Sequence, residues 1–565
     1  MPLLGTNTFI LIMKKRIPIS VGIIGHLDAI VTAEHIHKIT ELFDDLERYF
    51  PNSPVCFFSQ LAEGADTVIA KLFIEIKNKK KRAYELIAPL PYDVNEYEKR
   101  FDDSGKQTFN YLLSQAHRYF VLDNDENLKK EDLYRLAGKF VADSSIILIA
   151  LCQIDSVQKK GGTVELVNYK TNGTFDEYAV ESIFDMVGMP IVLDCERASD
   201  NEKRKVKPDK KSIFTQIEES KNGSILKALK KIEELNQPIN NSFEKKVTES
   251  ARELFSTSKG LDPLHALIRR YYAITNTEAV KNQNYYKFFL KLLFWMGLII
   301  VGCFEWYKHM QQNGSMLLLT LILIGIASGI YLLTEKKKYH SKFLENRILA
   351  ESLRIQFFWN IGNVNENVSN CILKIHNTEY NWIKHILSAI YGACFTAKNV
   401  DIPSEKVINH WVKHQNDYFK DKVRKLTGRI KCIEHLSRTM FIIGFLLMGI
   451  LFFKDKYEEY CILNYYAIDW IILLTGVSFS AFALLKAYLE KRGFDQILNQ
   501  YILMGNIYEK SAEKITQIQR KIPDPTEQTE AIGKIYRSAG KEALIENGNW
   551  YLIFKKKHPE IEGLG

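Results

Sequence analysis

Two hydrophobic regimes divide this chain. Up to about residue 195 the apolar positions fall in short unbroken runs: 17–24 (IPISVGII), 55–60 (VCFFSQ), 83–91 (AYELIAPLP), 117–122, 145–151 (SIILIAL) and 190–194 (PIVLD). A run without polar alternation marks a strand buried on both faces, as in a parallel sheet. Between the runs the spacing turns helical, as with Ile36, Ile39, Leu42, Phe43 and Leu46 within 34–49. Strands alternating with helices predict an α/β fold, a doubly wound parallel sheet.

The second regime is longer and more apolar. FFLKLLFWMGLIIVGCFEWY (288–307) and MLLLTLILIGIASGIYLL (316–333) form one hairpin, and segments 436–453 and 470–485 form another. Eighteen helical residues reach about 27 Å, close to the thickness of a bilayer core. Two similar hairpins in tandem indicate an internal duplication. A long helical stretch follows each. In the first, Arg347, Glu351 and Arg354 share a face; after the second, Phe494, Ile497, Tyr501, Met504, Tyr508, Ile515, Ile518 and Ile522 keep a near-heptad spacing that serves helix packing within or between chains.

Charge orients the hairpins. Lys336, Lys337, Lys338, Lys422, Arg424, Lys425, Arg429, Lys431, Arg438, Lys486, Lys491 and Arg492 flank their outer ends, whereas the inner connections carry Lys308, Lys454 and Lys456, with Asp455, Glu458 and Glu459 close by. The positive-inside rule then places both termini in the cytoplasm of a multi-pass membrane protein. The net charge of +9 over 565 residues fits that bias, and no basic run interleaved with aromatics predicts nucleic-acid binding. The eight cysteines form no CxxC pair, which argues for a reducing compartment without a zinc site or a disulfide framework. Phe9–Ile12 is too short for a signal peptide, and Met13 is the expected native start.

Ligands of doubly wound sheets sit outside the carboxyl ends of the strands. Gly25-His26, Glu63-Gly64, Pro89 and Gly161-Gly162 all fall at such ends. Gly161, Gly162 and Thr163 read as a phosphate or ribose cradle at a helix start, or as a tight turn. Glu165 could accept from ribose hydroxyls, act as a general acid/base, or answer the helix dipole. Arg135 reads as a phosphate contact or a surface ion pair. Gly25, His26 and Gly64 are ligand-contact candidates; Glu63 and Asp66 could each hydrogen-bond ribose or cap the helix, with Glu63 favouring the ligand and Asp66 the cap. Glu305 and Asp469, near the extracytoplasmic ends of two spans, are pore-lining candidates.

VGIIGHLD (21–28), SQLAEGAD (59–66), YRLAGKFVADSSIILIAL (134–151) and GGTVE (161–165) together resemble the SLOG superfamily, a Rossmann-like group of phosphoribohydrolases and nucleotide sensors. AESLRIQFFW (350–359), WVKHQNDYF (411–419) and ENGNW (546–550) resemble SLATT-type two-helix membrane modules. The resemblance implies an effector of the bacterial inner membrane, gated by a nucleotide second messenger or ADP-ribose derivative from an enzyme encoded nearby. It also implies a homo-oligomeric pore or depolarising assembly in antiphage defence. A SLOG-like fold in melastatin-type cation channels, associated there with ADP-ribose, offers a parallel. The enzymatic relatives carry PGGxGTxxE and a catalytic arginine near the place of Arg135. Here Lys160 precedes a shortened GGTVE, and Leu27 stands where many relatives have arginine, so the resemblance implies binding without catalysis. The alternatives are a membrane-tethered phosphoribohydrolase or NAD-cleaving enzyme using Glu165 and Arg135, and a passive scaffold. The expected organisation is an N-terminal extension (1–16), a sensing domain (17–197), a linker or helical connection (198–245), a first membrane module (246–400) and a second with C-terminal helices (401–565). No metal or resident cofactor is expected.

Overall fold

Six runs of apolar sequence become six parallel strands. The computed structural model describes residues 16–80, 83–122, 128–153, 156–175, 189–199, 211–220, 223–256, 263–308, 314–364, 366–371, 377–395, 402–456 and 465–557. Met13, Glu458 and Glu459 lie outside the described residues. Within them the chain runs β1 (Ile19–Gly25), α1 (Ala33–Tyr49), β2 (Val55–Phe58), α2 (Ala65–Lys79), β3 (Tyr84–Leu90), α3 (Val94–Glu98), α4 (Asp103–Gln115), β4 (Arg118–Val121), α5 (Lys130–Ser144), β5 (Ile147–Leu151), α6 (Thr163–Asn172) and β6 (Ile191–Leu193). Helices follow: α7 (Ile213–Glu218), α8 (Ser224–Asn236), α9 (Asn241–Leu254), α10 (Pro263–Trp306), α11 (Gly314–Lys337), α12 (Tyr339–Ile361), α13 (Asn377–Cys394) and α14 (Ser404–Val407). A π-helical turn, Ile408–Lys413, leads into α15 (His414–Lys456), α16 (Tyr465–Arg492), α17 (Phe494–Lys521) and α18 (Pro525–Lys557).

The chain divides into two compact units, Met1–Ile274 with Glu351–Pro403, and Thr275–Ala350 with Ser404–Gly565. The expected first membrane module, 246–400, is therefore shared: 246–274 and 351–400 belong to the first unit and 275–350 to the second.

In the first unit the sheet order is β4-β3-β2-β1-β5-β6, and every pairing is parallel. The α/β expectation holds. Successive residues of a strand point to opposite faces, and β2 shows what that does. Phe57 stacks on Phe73 of α2, with centroids 4.6 Å apart, and also meets Phe43 of α1; its neighbour Phe58 meets Phe140 of α5 on the other face. Two helical layers thus clamp one sheet, which is why β1 and β5 are buried almost throughout and carry no polar alternation.

The second face is completed from far along the sequence. On α13, the backbone at Gly392 lies so close to Ser144 and Phe58 that a Cβ would fall 2.5 Å from the Ser144 Cβ. Arg118 of β4 donates from Nη1 to the Phe395 carbonyl at 2.8 Å and from Nη2 to that of Ala393. At the sheet's amino-terminal edge, buried Asn236 of α8 accepts from the Ile17 amide (3.0 Å) and the Tyr271 hydroxyl, and donates to the Ile17 carbonyl (2.8 Å) and Ser53 Oγ (3.0 Å). The expected 198–245 connection therefore contributes a core-forming helix to the unit.

In the second unit, α10, α11, α15 and α16 supply four helices long and apolar enough to cross a membrane. Their most apolar windows are only 6%, 6%, 11% and 22% buried. Exposed apolar surface on that scale is compatible with a lipid bilayer. Helix α10 packs antiparallel to α16: Phe294 meets Tyr488 (5.8 Å), Gly297 faces Leu484, and Trp306 meets Trp470 edge-on (5.5 Å). Helix α15 meets α16 through Phe441 against Phe479 and Phe482. The near-heptad face of α17 is used within the chain. Tyr508 stacks on Phe419 and meets Trp411 edge-on, while Met504 and Ile515 are buried.

Candidate functional site

The sheet reverses its winding between β1 and β5, because β1 leads outward to β2 while β5 lies on its other side. At such a switch point the loops after adjacent strands diverge and open a crevice above their carboxyl ends. Here those loops begin at His26 and Cys152, and the His26 amide donates to the Leu151 carbonyl at 3.1 Å. His26 Nε2 lies 3.3 Å from Ser156 Oγ, so the two loops meet across the crevice. The β1 loop is tied on its other side by Asp28, whose carboxylate accepts from Arg197 Nε (2.9 Å) and from Ser199.

Helix α2 starts against this loop. Gly64 has φ +85°, and a Cβ there would fall 2.2 Å from the Leu27 carbonyl oxygen, so the turn admits only glycine. No side chain caps the helix; the Ala65 amide instead donates to the His26 carbonyl at 3.4 Å. Leu61, buried, has φ +55°, a strained value of the kind that clusters at ligand sites.

Asp66, open in the sequence to cap or ligand contact, does not form the cap. Its carboxyl is turned inward, 3% exposed, beside the backbone of Gln60, Gly25 and Ala62. Burial pushes it well above the usual carboxylate range, and those backbone groups oppose the shift. Its Oδ1 has no hydrogen-bond partner among the described residues, nor has the Oε1 of buried Gln60 nearby at the end of β2. Glu63 is exposed.

The second group forms where α5 crosses α6. Glu165 folds back over the start of its own helix: Oε2 accepts from the Gly161 amide at 2.7 Å, and Oε1 from Arg135 Nη2 at 2.8 Å. The Arg135 guanidinium also lies 3.9 Å from the centre of the Phe175 ring. Gly161 has φ +72°, and a Cβ there would fall 2.6 Å from the Glu131 carbonyl oxygen. Its lack of a side chain thus serves contact with α5. The Gly162 amide is used too, donating to the Lys159 carbonyl (2.9 Å), and Thr163 is buried at the first helical position.

A third group escaped the sequence reading. Beyond β3, Arg100 donates from Nη1 to the Tyr134 hydroxyl (2.7 Å), and its guanidinium lies 5.3 Å and 5.6 Å from the Tyr134 and Tyr92 rings. Tyr97 packs beneath both rings, and Asp66 is close enough to act on its hydroxyl. The tyrosines that follow Pro89-Leu90-Pro91 were the available signal.

The structure thus gathers Gly25, His26, Gly64 and Asp66 at one end of the crevice, and Arg135, Gly161, Gly162, Thr163 and Glu165 around the α5–α6 crossing. In the second unit, Glu305 packs against α16, where a Cβ at Gly476 would fall 3.0 Å from its carboxyl carbon; Asp469 lies on α16 beside Trp470 and is partly buried. No family model matches the chain, and no curated protein matches it.

Proposed function

We propose that the chain is a ligand-gated membrane effector in which a SLOG-like α/β unit senses a nucleotide second messenger or ADP-ribose derivative. In this reading the messenger, made by an enzyme encoded nearby, acts on an oligomer in the bacterial inner membrane. Opening or depolarisation by the SLATT-like hairpins then contributes to antiphage defence. The observation that carries the reading is the buried Asp66 carboxyl with an unpartnered oxygen at the carboxyl edge of the sheet. A buried polar group without a partner costs stability, and a ligand hydroxyl can supply the missing bond. The rings of Tyr92 and Tyr134 beside Arg100 offer stacking surfaces of the kind that bases use.

Binding is favoured over hydrolysis because Glu165 spends both oxygens on Arg135 and Gly161. A general acid/base must reach the proton that it moves. A messenger drives opening only by binding one state of the chain more tightly than the other. The test is ion leakage from liposomes carrying the full-length protein, titrated with cyclic nucleotides and ADP-ribose derivatives. Leakage with at least one of them, lost in Asp66→Ala, is expected; no response to any would overturn gating. The enzyme reading has one supporting feature, the 2.8 Å Arg135–Glu165 pair itself. Turnover of NAD or AMP that disappears in Glu165→Ala would establish it instead.

A further inference from the structure

The cytoplasmic ends of three membrane helices bring five cations together without an acid among them. Lys287 stands just before the first apolar segment and Lys291 one turn into it, on α10; Lys422 and Arg429 lie on α15, and Arg492 ends α16. Arg492, Lys422, Arg429 and Lys291 all lie close enough to Lys287 to act on its charge. The packing explains how. Phe294 of α10 meets Tyr488 of α16, Tyr488 meets Phe494 of α17, and Leu426 and Ile430 of α15 join Phe494 in one apolar cluster. That cluster leaves the cations of three helices around a common edge.

None of the five has a carboxylate partner among the described residues. Lys287 donates to Gln283 Oε1, Lys422 lies over the Tyr418 ring, and Arg492 lies over the Phe494 ring. Arg492 Nε is buried with no hydrogen-bond partner among the described residues. Other cations on the same helices are neutralised: Lys420 by Glu509, and Arg424 and Lys425 by Asp421. Five gathered cations repel one another unless an anion sits between them.

Their depth names the anion. At about 1.5 Å per helical residue, Lys287 and Lys291 straddle the first residues of the α10 apolar segment, Arg429 and Arg492 lie roughly 10 Å outside the segments that begin at Leu436 and end at Leu485, and Lys422 lies roughly 21 Å outside, brought back toward the others by its position near Lys287. The cluster thus extends outward from the edge of the apolar layer, where basic pockets between membrane helices take anionic lipid.

We propose that Lys287, Lys291, Lys422, Arg429 and Arg492 form a binding site for the phosphate headgroup of an anionic phospholipid of the cytoplasmic leaflet. Arg429 and Arg492 supply planar donors for two phosphate oxygens; the lysines supply charge on flexible stems that follow the headgroup. The site rests on the membrane reading of the apolar helices and is independent of the messenger.

The experiment measures lipid binding to delipidated full-length protein in detergent, with phosphatidylglycerol against phosphatidylcholine. Phosphatidylglycerol is expected to bind saturably and more tightly. One surface cation contributes about fivefold in affinity, so Arg429→Gln with Arg492→Gln weakens binding about 25-fold, and Lys287→Gln with Lys291→Gln does the same. Lys420→Gln with Lys425→Gln, which removes paired cations, changes it less than twofold. Equal affinity for the two lipids overturns the proposal and needs no variant. Undiminished binding in both cluster pairs, or an equal loss in the control pair, also overturns it. Inorganic phosphate titrated onto lipid-free protein separates the sources: saturable binding at the same affinity as the lipid, lost in the cluster variants, would make the site one for free phosphate.

Discussion

Replacing Glu165 by glutamine tests whether that carboxylate is occupied or free. The side chain is 6% exposed, and both oxygens accept hydrogen bonds, from Arg135 Nη2 at 2.8 Å and the Gly161 amide at 2.7 Å. Glutamine keeps the shape but has one acceptor oxygen; its amide nitrogen must point a donor at one of two donors. One bond is lost and the other keeps a neutral acceptor in place of a charged one. A hydrogen bond to a charged group contributes about 1.5–3 kcal/mol. Arg135 is 27% exposed and regains some water, so the lower half of that range applies, about 2 kcal/mol. The loss is local, at the start of α6 and the facing turn of α5. Amide hydrogen exchange on the full-length protein reads it: 2 kcal/mol speeds exchange around residues 161–166 about 30-fold, with β1 unaffected. Exchange within twofold of wild type would refute the reasoning, because Glu165 would then be a free carboxylate available for chemistry.

Three further perturbations follow from the same geometry. Asp66→Asn removes a buried ionisation: because the folded carboxyl lies above its unfolded value, the wild type is favoured at low pH and loses stability as pH rises through the raised value, so the variant should gain on it in denaturation at pH 8 compared with pH 5. Gly161→Ala meets the Glu131 carbonyl at 2.6 Å and an unfavourable φ, a cost of about 3 kcal/mol in thermal unfolding, whereas Gly162→Ala, at φ −89°, costs less. Buried His385 on α13 is held down to about 3 by burial and by Lys170 and Lys384, so stability present above pH 6.5 falls as the unfolded state takes up the proton, by about 2 kcal/mol at pH 5; His385→Gln should flatten that slope.

The parts of the fold legible in the sequence are those where one physical demand acts alone. β1 and β5 are sandwiched, so every position but Ser20 is apolar or glycine, and the run itself reveals the strand. The four apolar helices are legible for the same reason: lipid asks for one kind of side chain over a fixed length. What the sequence hid depends on partners. Nothing in NWIKHILSAIYGAC says that α13 belongs against Ser144 and Phe58, since amphipathic spacing shows a buried face without naming what buries it. The heptad of α17 suits a partner in the chain or in a subunit equally, and only the fold brings Phe419 and Trp411 against Tyr508. Asp66 stays ambiguous in the sequence because an acid in the first turn of a helix suits a cap as well as a ligand contact. In the fold its carboxyl is buried, 3% exposed, beside the backbone of Gln60, Gly25 and Ala62.

Glu165 and Asp66 show why acidic residues at strand ends cannot be assigned by position alone. An enzyme of this architecture needs a carboxylate that reaches substrate; a sensor needs a group that is costly when empty and satisfied when filled. Glu165, which motif and spacing favour, is held by Arg135 and by the amide at the start of its own helix, so its charge is spent on joining α6 to α5. Asp66, which the sequence leaves between capping and ligand contact, keeps a buried oxygen without a partner among the described residues. Filling that site removes a cost present only in the empty state, and a ligand that removes a cost from one state shifts the population toward it. If the chain is a sensor as proposed, loss of the Glu165 carboxylate should therefore loosen α6 while leaving affinity for the proposed messenger nearly intact. Loss of the Asp66 carboxyl should weaken affinity while leaving the fold at least as stable at neutral pH. An enzyme that uses Glu165 would show the reverse order of effects on its activity.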